Sequence, residues 1–145
     1  MVVRRSRISA GKGQLTLSRT RSEEKHLVYV LLANRPFKYS YGRSKVAYIG
    51  TTERGLKRIT ESVAKHADAI LNNHGVTTLS TRFYTCRGRR RVQMWRKLER
   101  ALIISFRERY GEIPQYNVHG RGWRWDGEDA YFGQKAVRKV IDEMG

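Results

Sequence analysis

Two phenols, a guanidinium and a carboxylate are the groups in this chain whose types and spacing could do chemistry. Tyr29 sits in an apolar run, Leu27, Val28, Tyr29, Val30, Leu31 and Leu32, and Tyr48 in a second run, Lys45, Val46, Ala47, Tyr48, Ile49 and Gly50. Both runs are β-branched or aromatic and too short for a stable helix. The residues between them, 34–44, include Pro36 and Gly42, so the two runs read as strands joined by a loop. If the strands pair antiparallel, the phenols lie on neighbouring strands and reach the same face. Thr51 and Thr52 follow as residues able to cap a helix, and then a basic amphipathic run begins with Lys57 and Arg58. A lone helical arginine is usually solvated. Here the hairpin in front of it lets the guanidinium converge with the phenols.

The carboxylate is Glu99. Its segment, 92–110, puts Trp95, Leu98, Leu102, Ile103 and Phe106 on one helical face and Arg96, Arg100 and Arg107 on another. Glu99 lies one turn after Trp95 and one turn before Leu102 and Ile103, so it emerges on the apolar side, where an unpaired charge is costly. Something cationic should meet it. An arginine at the rim of the core and a divalent cation are the two readings.

Composition names the class of partner. The chain has 145 residues, enough for one domain, and its 30 Lys and Arg against 13 Asp and Glu give a formal charge of +17. That is far beyond what solubility requires and points to a polyanion, with nucleic acid in first place. A basic membrane-surface helix would separate a charged face from a wide apolar one, whereas these charges recur through every segment. No apolar run approaches the length needed to span a bilayer, and Met1 to Arg7 is basic with no apolar stretch behind it, so neither a membrane span nor a signal peptide is expected. One cysteine, Cys86, excludes an intramolecular disulfide and a zinc site built on paired cysteines. The expected location is intracellular and cytoplasmic.

The remaining elements follow from pattern. Residues 1–26 form a basic arm, with Leu15 and Leu17 able to add one strand; a frayed terminus and a DNA-contacting arm are its two readings. Leu56, Ile59, Val63, Ala67 and Ile70 predict a helix ending near Asn73, with Gly75 beyond it. Residues 78–86 predict a third strand. Arg87, Gly88, Arg89, Arg90 and Arg91 then make a dense cationic loop, either solvated or touching phosphate, which Arg matches in bidentate geometry. Gly111 closes the second helix, and Pro114 breaks the chain before Tyr116 and Asn117. Trp123 and Trp125 alternate with Arg124 in an edge strand or packed loop, as a core lid or a base-stacking platform. Ala136, Val137, Val140, Ile141 and Met144 predict a terminal helix.

Taken together, Val28–Tyr29–Val30, the later Ala47, Tyr48, Ile49, Gly50 and Thr51, helical Arg58, helical Glu99, and Pro114 with Asn117 resemble the GIY-YIG nuclease superfamily. The resemblance covers roughly residues 27–118. Tyr48 and Arg58 are ten positions apart, as in the family pattern, and the order Tyr, Tyr, Arg, Glu, Asn is complete. The first tripeptide departs from it, with Val28 and Val30 in place of glycine and isoleucine. Many members carry a histidine one turn after the arginine, where this chain has Ser62; His66, a further turn along, is the candidate substitute. The 19 positions from Tyr29 to Tyr48 exceed the spacing of compact members and are similar to restriction-type relatives.

The resemblance implies an α/β (α+β) fold: a small three-stranded antiparallel sheet flanked by helices. A nuclease core would span 27–118, with the basic arm before it and a C-terminal extension, 119–145, packed on it. It implies a DNA endonuclease that hydrolyses a phosphodiester with one Mg²⁺ or Mn²⁺, in restriction or defence, in a phage or mobile element, or in repair. Glu99 would hold the metal, Arg58 would stabilise the charge of the transition state, Tyr29 or Tyr48 would accept or relay the water's proton with nearby cations favouring phenolate, and Asn117 would position the metal-binding end by hydrogen bonds. Arg35, Lys38, Tyr39, Tyr41 and Arg43 in the long loop suit DNA contact, with Lys57, Arg87, Arg89, Arg90 and Arg91 as further contacts. A chain this small obtains specificity from its own loops or as a homodimer. The alternative is a nucleic-acid-binding protein that kept the fold and lost the chemistry.

Overall fold

The computed structural model describes residues 26–52, 56–73, 75–84, 93–128 and 132–145; at 56–60, 62, 72 and 73 the description is of the backbone alone. The elements run β1 (Leu27–Tyr39), β2 (Gly42–Thr52), α1 (Leu56–Asn73), β3 (Leu79–Tyr84), α2 (Met94–Tyr110) and α3 (Gln134–Met144). The three strands form one antiparallel sheet in the order β2-β1-β3, so the class is α+β. The N-terminal arm, with its strand expected at Leu15 and Leu17, lies outside the described residues, as do Cys86 and the Arg87, Arg89, Arg90 and Arg91 loop.

β1 is central, and residues 27–33 are all buried, the mark of a strand covered on both faces. In its second half, beyond β3, Asn34, Arg35, Pro36 and Lys38 are exposed while Phe37 and Tyr39 are buried. The long loop expected at 34–44 is therefore mostly strand, with only Ser40 and Tyr41 forming the turn. Pro36 is accommodated because the β1–β2 register is broken there, between Leu32 and Phe37, and a residue without an N–H fits such an interruption. Asn34 ties the break down: its backbone N–H donates to the Thr78 carbonyl (3.2 Å), and its Oδ1 accepts from the N–H groups of Thr77 and Thr78.

A second break lies near the chemistry. Leu31 pairs with Tyr48 but Leu32 pairs with Val46, leaving Ala47 without a partner on β1. Its carbonyl instead accepts from the Tyr116 N–H at 3.0 Å. The segment after α2 thus runs along the outer edge of β2. It also meets the turn, where the Tyr41 N–H donates to the Tyr110 carbonyl (3.0 Å) and the Ser40 N–H to Glu112 Oε2 (2.8 Å). Gly111 permits the reversal: it is left-handed at φ 79°, and its N–H closes α2 on the Arg107 carbonyl.

α2 is less amphipathic than its sequence suggests. Residues 101–106 are all buried, because the helix lies between the sheet and α3 and is wrapped by the loop after it. Two of the arginines expected on the other helical face hold that loop. Arg107 donates to the carbonyls of Gly120 (2.9 Å), Arg121 (2.7 Å) and Trp123. Arg100 stacks over Trp123 at 4.7 Å and pairs with Glu128 at 2.5 Å. Trp123 and Trp125 belong to a packed loop, half-buried against the core. α3 buries Val137, Ile141 and Met144, a one-sided stripe against α2.

Candidate active site

The site begins with a diagonal across the β1–β2 ladder. Tyr29 pairs with Gly50 and Leu31 with Tyr48, so both tyrosines share a face. Their ring centroids are 5.8 Å apart, and the phenols are hydrogen-bonded to each other. Gly50 makes the approach possible. A Cβ there would stand 2.5 Å from Tyr48 Cε1 and 2.8 Å from Tyr29 Cζ and Oη, closer than carbon atoms pack. The glycine of the second tripeptide is thus the space into which both phenols lean.

From α2, the Glu99 carboxyl shares a hydrogen bond with the Thr51 side chain at the end of β2, and its charge is felt at Tyr48. Burial pushes this carboxyl above its usual range, against the opposing pull of the Thr51 hydrogen bond and the charges of Arg96 and His119. Thr51 and Thr52, expected as helix caps, instead form the last two pairs of β2, with Val28 and Leu27. His119 and the Thr51 hydroxyl were not among the expected site residues; neither lies in a periodic segment that would have marked it.

From α1, His66 lays its ring on Tyr48, centroids 4.3 Å apart and planes at 30°. Burial, and after it the nearby Lys65, push its pKa below the usual value, so the imidazole is neutral at neutral pH. At Tyr48, where a phenolate was expected, burial first, then Tyr29 and the charge of Glu99, push the phenol upward. Arg58 and Lys57 belong to α1, but their side chains lie outside the description.

Asn117 comes to the site through the backbone. Its Oδ1 accepts from the Ile49 N–H (2.9 Å) and its Nδ2 donates to the Ile49 carbonyl (2.8 Å), completing both hydrogen bonds of a residue on the outer edge of β2 between Tyr48 and Gly50. The side-chain amide imitates one residue of a fourth strand.

On the hairpin, Arg35, Lys38 and Arg43 are exposed, and Lys38 and Arg43 are direct cross-strand partners. Like charges in that position repel, and an anion would relieve them. Tyr41 is 70% exposed. Tyr39 is not a contact residue: it is buried, donating from its hydroxyl to the Val46 carbonyl (2.7 Å) and accepting from the Gln115 N–H (3.0 Å).

Among the described residues no three His, Cys, Asp and Glu side chains gather around one point. The Glu99, Thr51, Tyr29 and Tyr48 groups are all oxygen donors, the set a hard cation such as Mg²⁺ takes, and Mg²⁺ commonly keeps several of its waters. The residues fit that group. Among the described residues no helix is long and apolar enough to cross a membrane. No family model, curated protein or solved structure matches the chain.

Proposed function

We propose that the chain is a metal-dependent DNA endonuclease of GIY-YIG type, hydrolysing phosphodiesters at the cluster of Tyr29, Tyr48, Glu99 and His66. The observation that carries this reading is the convergence at Gly50: residues far apart in sequence, drawn from β1, β2, α1 and α2, bring two phenols, a carboxyl and an imidazole to one end of the sheet. The +17 charge supplies the partner class, and the exposed Arg35, Lys38 and Arg43 supply cations along the hairpin. Asn117 also lines an open cavity of about 690 Å³ with Lys38 and Arg121, a further cationic surface.

When bound at Glu99, Mg²⁺ or Mn²⁺ would stabilise the charge of the pentacovalent transition state and ease departure of the 3′ oxygen. The chain's own groups do the rest. His66, its ring against Tyr48, is the group assigned to accept the attacking water's proton. The Tyr48 phenol, held protonated by burial, donates its one hydrogen bond to Tyr29, and its oxygen accepts from that water to orient it. Arg58, carried on α1, adds positive charge for the transition state.

The test is supercoiled plasmid with Mg²⁺. Wild type should nick or linearise it, and Glu99→Ala should lose at least about a hundredfold in rate while binding DNA as before. Cleavage by Glu99→Ala at the wild-type rate sinks the metal assignment. The exposed Arg35, Lys38 and Arg43 serve equally in one other reading, a nucleic-acid-binding protein without chemistry. In that case no metal produces cuts, and binding simply weakens steeply with salt.

A further inference from the structure

One ring pair stands beside this cluster without a part in its chemistry. His26, immediately before β1, stacks on Trp95 in the first turn of α2, with centroids 3.9 Å apart and planes 19° from parallel. Two contacts locate it. Leu27, next to His26, pairs with Thr52, and Glu99, one turn after Trp95, is hydrogen-bonded to Thr51. The ring stack and the Glu99 contact therefore bridge the same strand ends to the same face of α2, as neighbours at i and i+4.

A strand anchor would be better built from other residues. Among the described residues, the buried Trp95 Nε1 has no hydrogen-bond partner. Leaving an indole N–H unpaired destabilises the fold, and Leu or Phe would fill the position without it. What the indole offers is a wide π face, and His26 lies flat on it. His26 is itself exposed, with one face of its ring on Trp95. A ring already held flat needs no reordering to accept a planar partner, and aromatic stacking is the way proteins hold unpaired bases of any sequence. Arg96 follows in α2, and its charge is felt at Glu99, one turn from Trp95.

We infer that His26, backed by Trp95, is a stacking platform for an unpaired nucleobase flanking the phosphate presented to Glu99. The favoured substrate then carries a single-stranded, gapped or extruded nucleotide at that point, because bases inside a duplex already stack on one another and offer no free face. This deepens the nuclease reading and rests on it for the identity of the polyanion; stacking itself requires neither metal nor cleavage.

The test uses the full chain in EDTA with oligonucleotides carrying 2-aminopurine, either in the single-stranded stretch of a gapped duplex or paired within an intact one. Binding should quench the probe at one unpaired position and leave the paired probe, already dimmed by stacking within the duplex, unchanged. His26→Leu should abolish the quenching and weaken binding of the gapped substrate about tenfold, His26→Phe should restore both, and the salt dependence should be common to all three. Should His26→Leu fail to melt cooperatively, His26→Gln takes its place as the non-aromatic variant. Quenching that survives both non-aromatic changes, a Phe variant no better than Leu, or equal binding of paired and unpaired substrates overturns the platform. Quenching without Mg²⁺-dependent nicking would keep the platform and remove the nuclease; nicking without quenching would do the reverse.

Discussion

Tyr29 and Tyr48 meet over the bare Cα of Gly50, with ring centroids 5.8 Å apart. The YIG tripeptide thus couples its first and last residues sterically: the glycine is needed because of the tyrosine two positions earlier and the one opposite. Gly50→Ala should destabilise the fold by about 1–3 kcal/mol, the usual cost of overpacking, as read from urea denaturation. It should also lower nicking far more than that loss of stability implies. The effect should couple with Tyr48→Ala, since removing the ring relieves the 2.5 Å contact. Full additivity in the double variant would mean that the rings do not meet there.

Glu99 has a carboxyl raised by burial, which fixes the sign of a pH effect. A carboxyl with a folded pKa above its unfolded value binds more protons in the folded state, so the stability it leaves intact at low pH is lost as pH rises through the folded pKa. Glu99→Gln should therefore be more stable than wild type at neutral pH, with the gain vanishing as pH falls below the ordinary carboxylate range. Added Mg²⁺ should raise the melting temperature of wild type and not of Glu99→Gln, because a ligand of the folded state stabilises it by mass action. Equal Mg²⁺ shifts in both proteins would move the metal elsewhere.

Where the sequence carried a period, it was legible. The strand runs at 27–32 and 45–50, the stripe Val63, Ala67 and Ile70, and the C-terminal stripe Val137, Ile141 and Met144 all name elements that exist. What pattern could not reach was the use of individual polar groups. Residues 34–39 look like a loop because Asn34 and Pro36 break the strand pattern, yet they continue β1, since Thr77, Thr78 and the β2 register hold them. Arg100 and Arg107 resemble solvated charges because the carbonyls and carboxylate they serve lie in an aperiodic loop. Among the candidate site residues, the Tyr29–Tyr48 pair follows from strand register, whereas His119 near Glu99 depends on a loop geometry that no spacing encodes.

Glu128 is the sharpest instance. It stands in an acidic, glycine-containing stretch typical of an exposed turn, yet its side chain is 1% exposed. Burial would raise its carboxyl, but hydrogen bonds from Arg100 and from the N–H groups of Asp126 and Glu128 prevail and hold it below the ordinary range. A lowered pKa contributes stability above the unfolded value, and that stability is lost as pH falls through the folded one. Removing one partner of a buried pair leaves the other uncompensated, so Glu128→Gln and Arg100→Ala should each cost about 3 kcal/mol. The wild-type advantage over Glu128→Gln should shrink below pH 4, the opposite slope to Glu99→Gln. Chemical denaturation across pH separates the two.

Asn117 poses the question of positioning against chemistry. Both ends of its amide are engaged by Ile49, so its hydrogen bonds hold the β2 edge that carries Tyr48 and Gly50. Asn117→Ala should cost about 1–2 kcal/mol for the two lost bonds and lower the nicking rate, because Tyr48 and Gly50 are no longer held on either side of Ile49. The Mg²⁺-induced rise in melting temperature should remain that of wild type, in contrast to Glu99→Gln. Asn117→Asp should fare worse than Ala above the carboxylate range, since it keeps the acceptor for the Ile49 N–H but sets a negative charge against the Ile49 carbonyl. It should improve as acid protonates the new group and restores a donor. A Mg²⁺ response lost in Asn117→Ala would instead make the amide a direct participant at the metal.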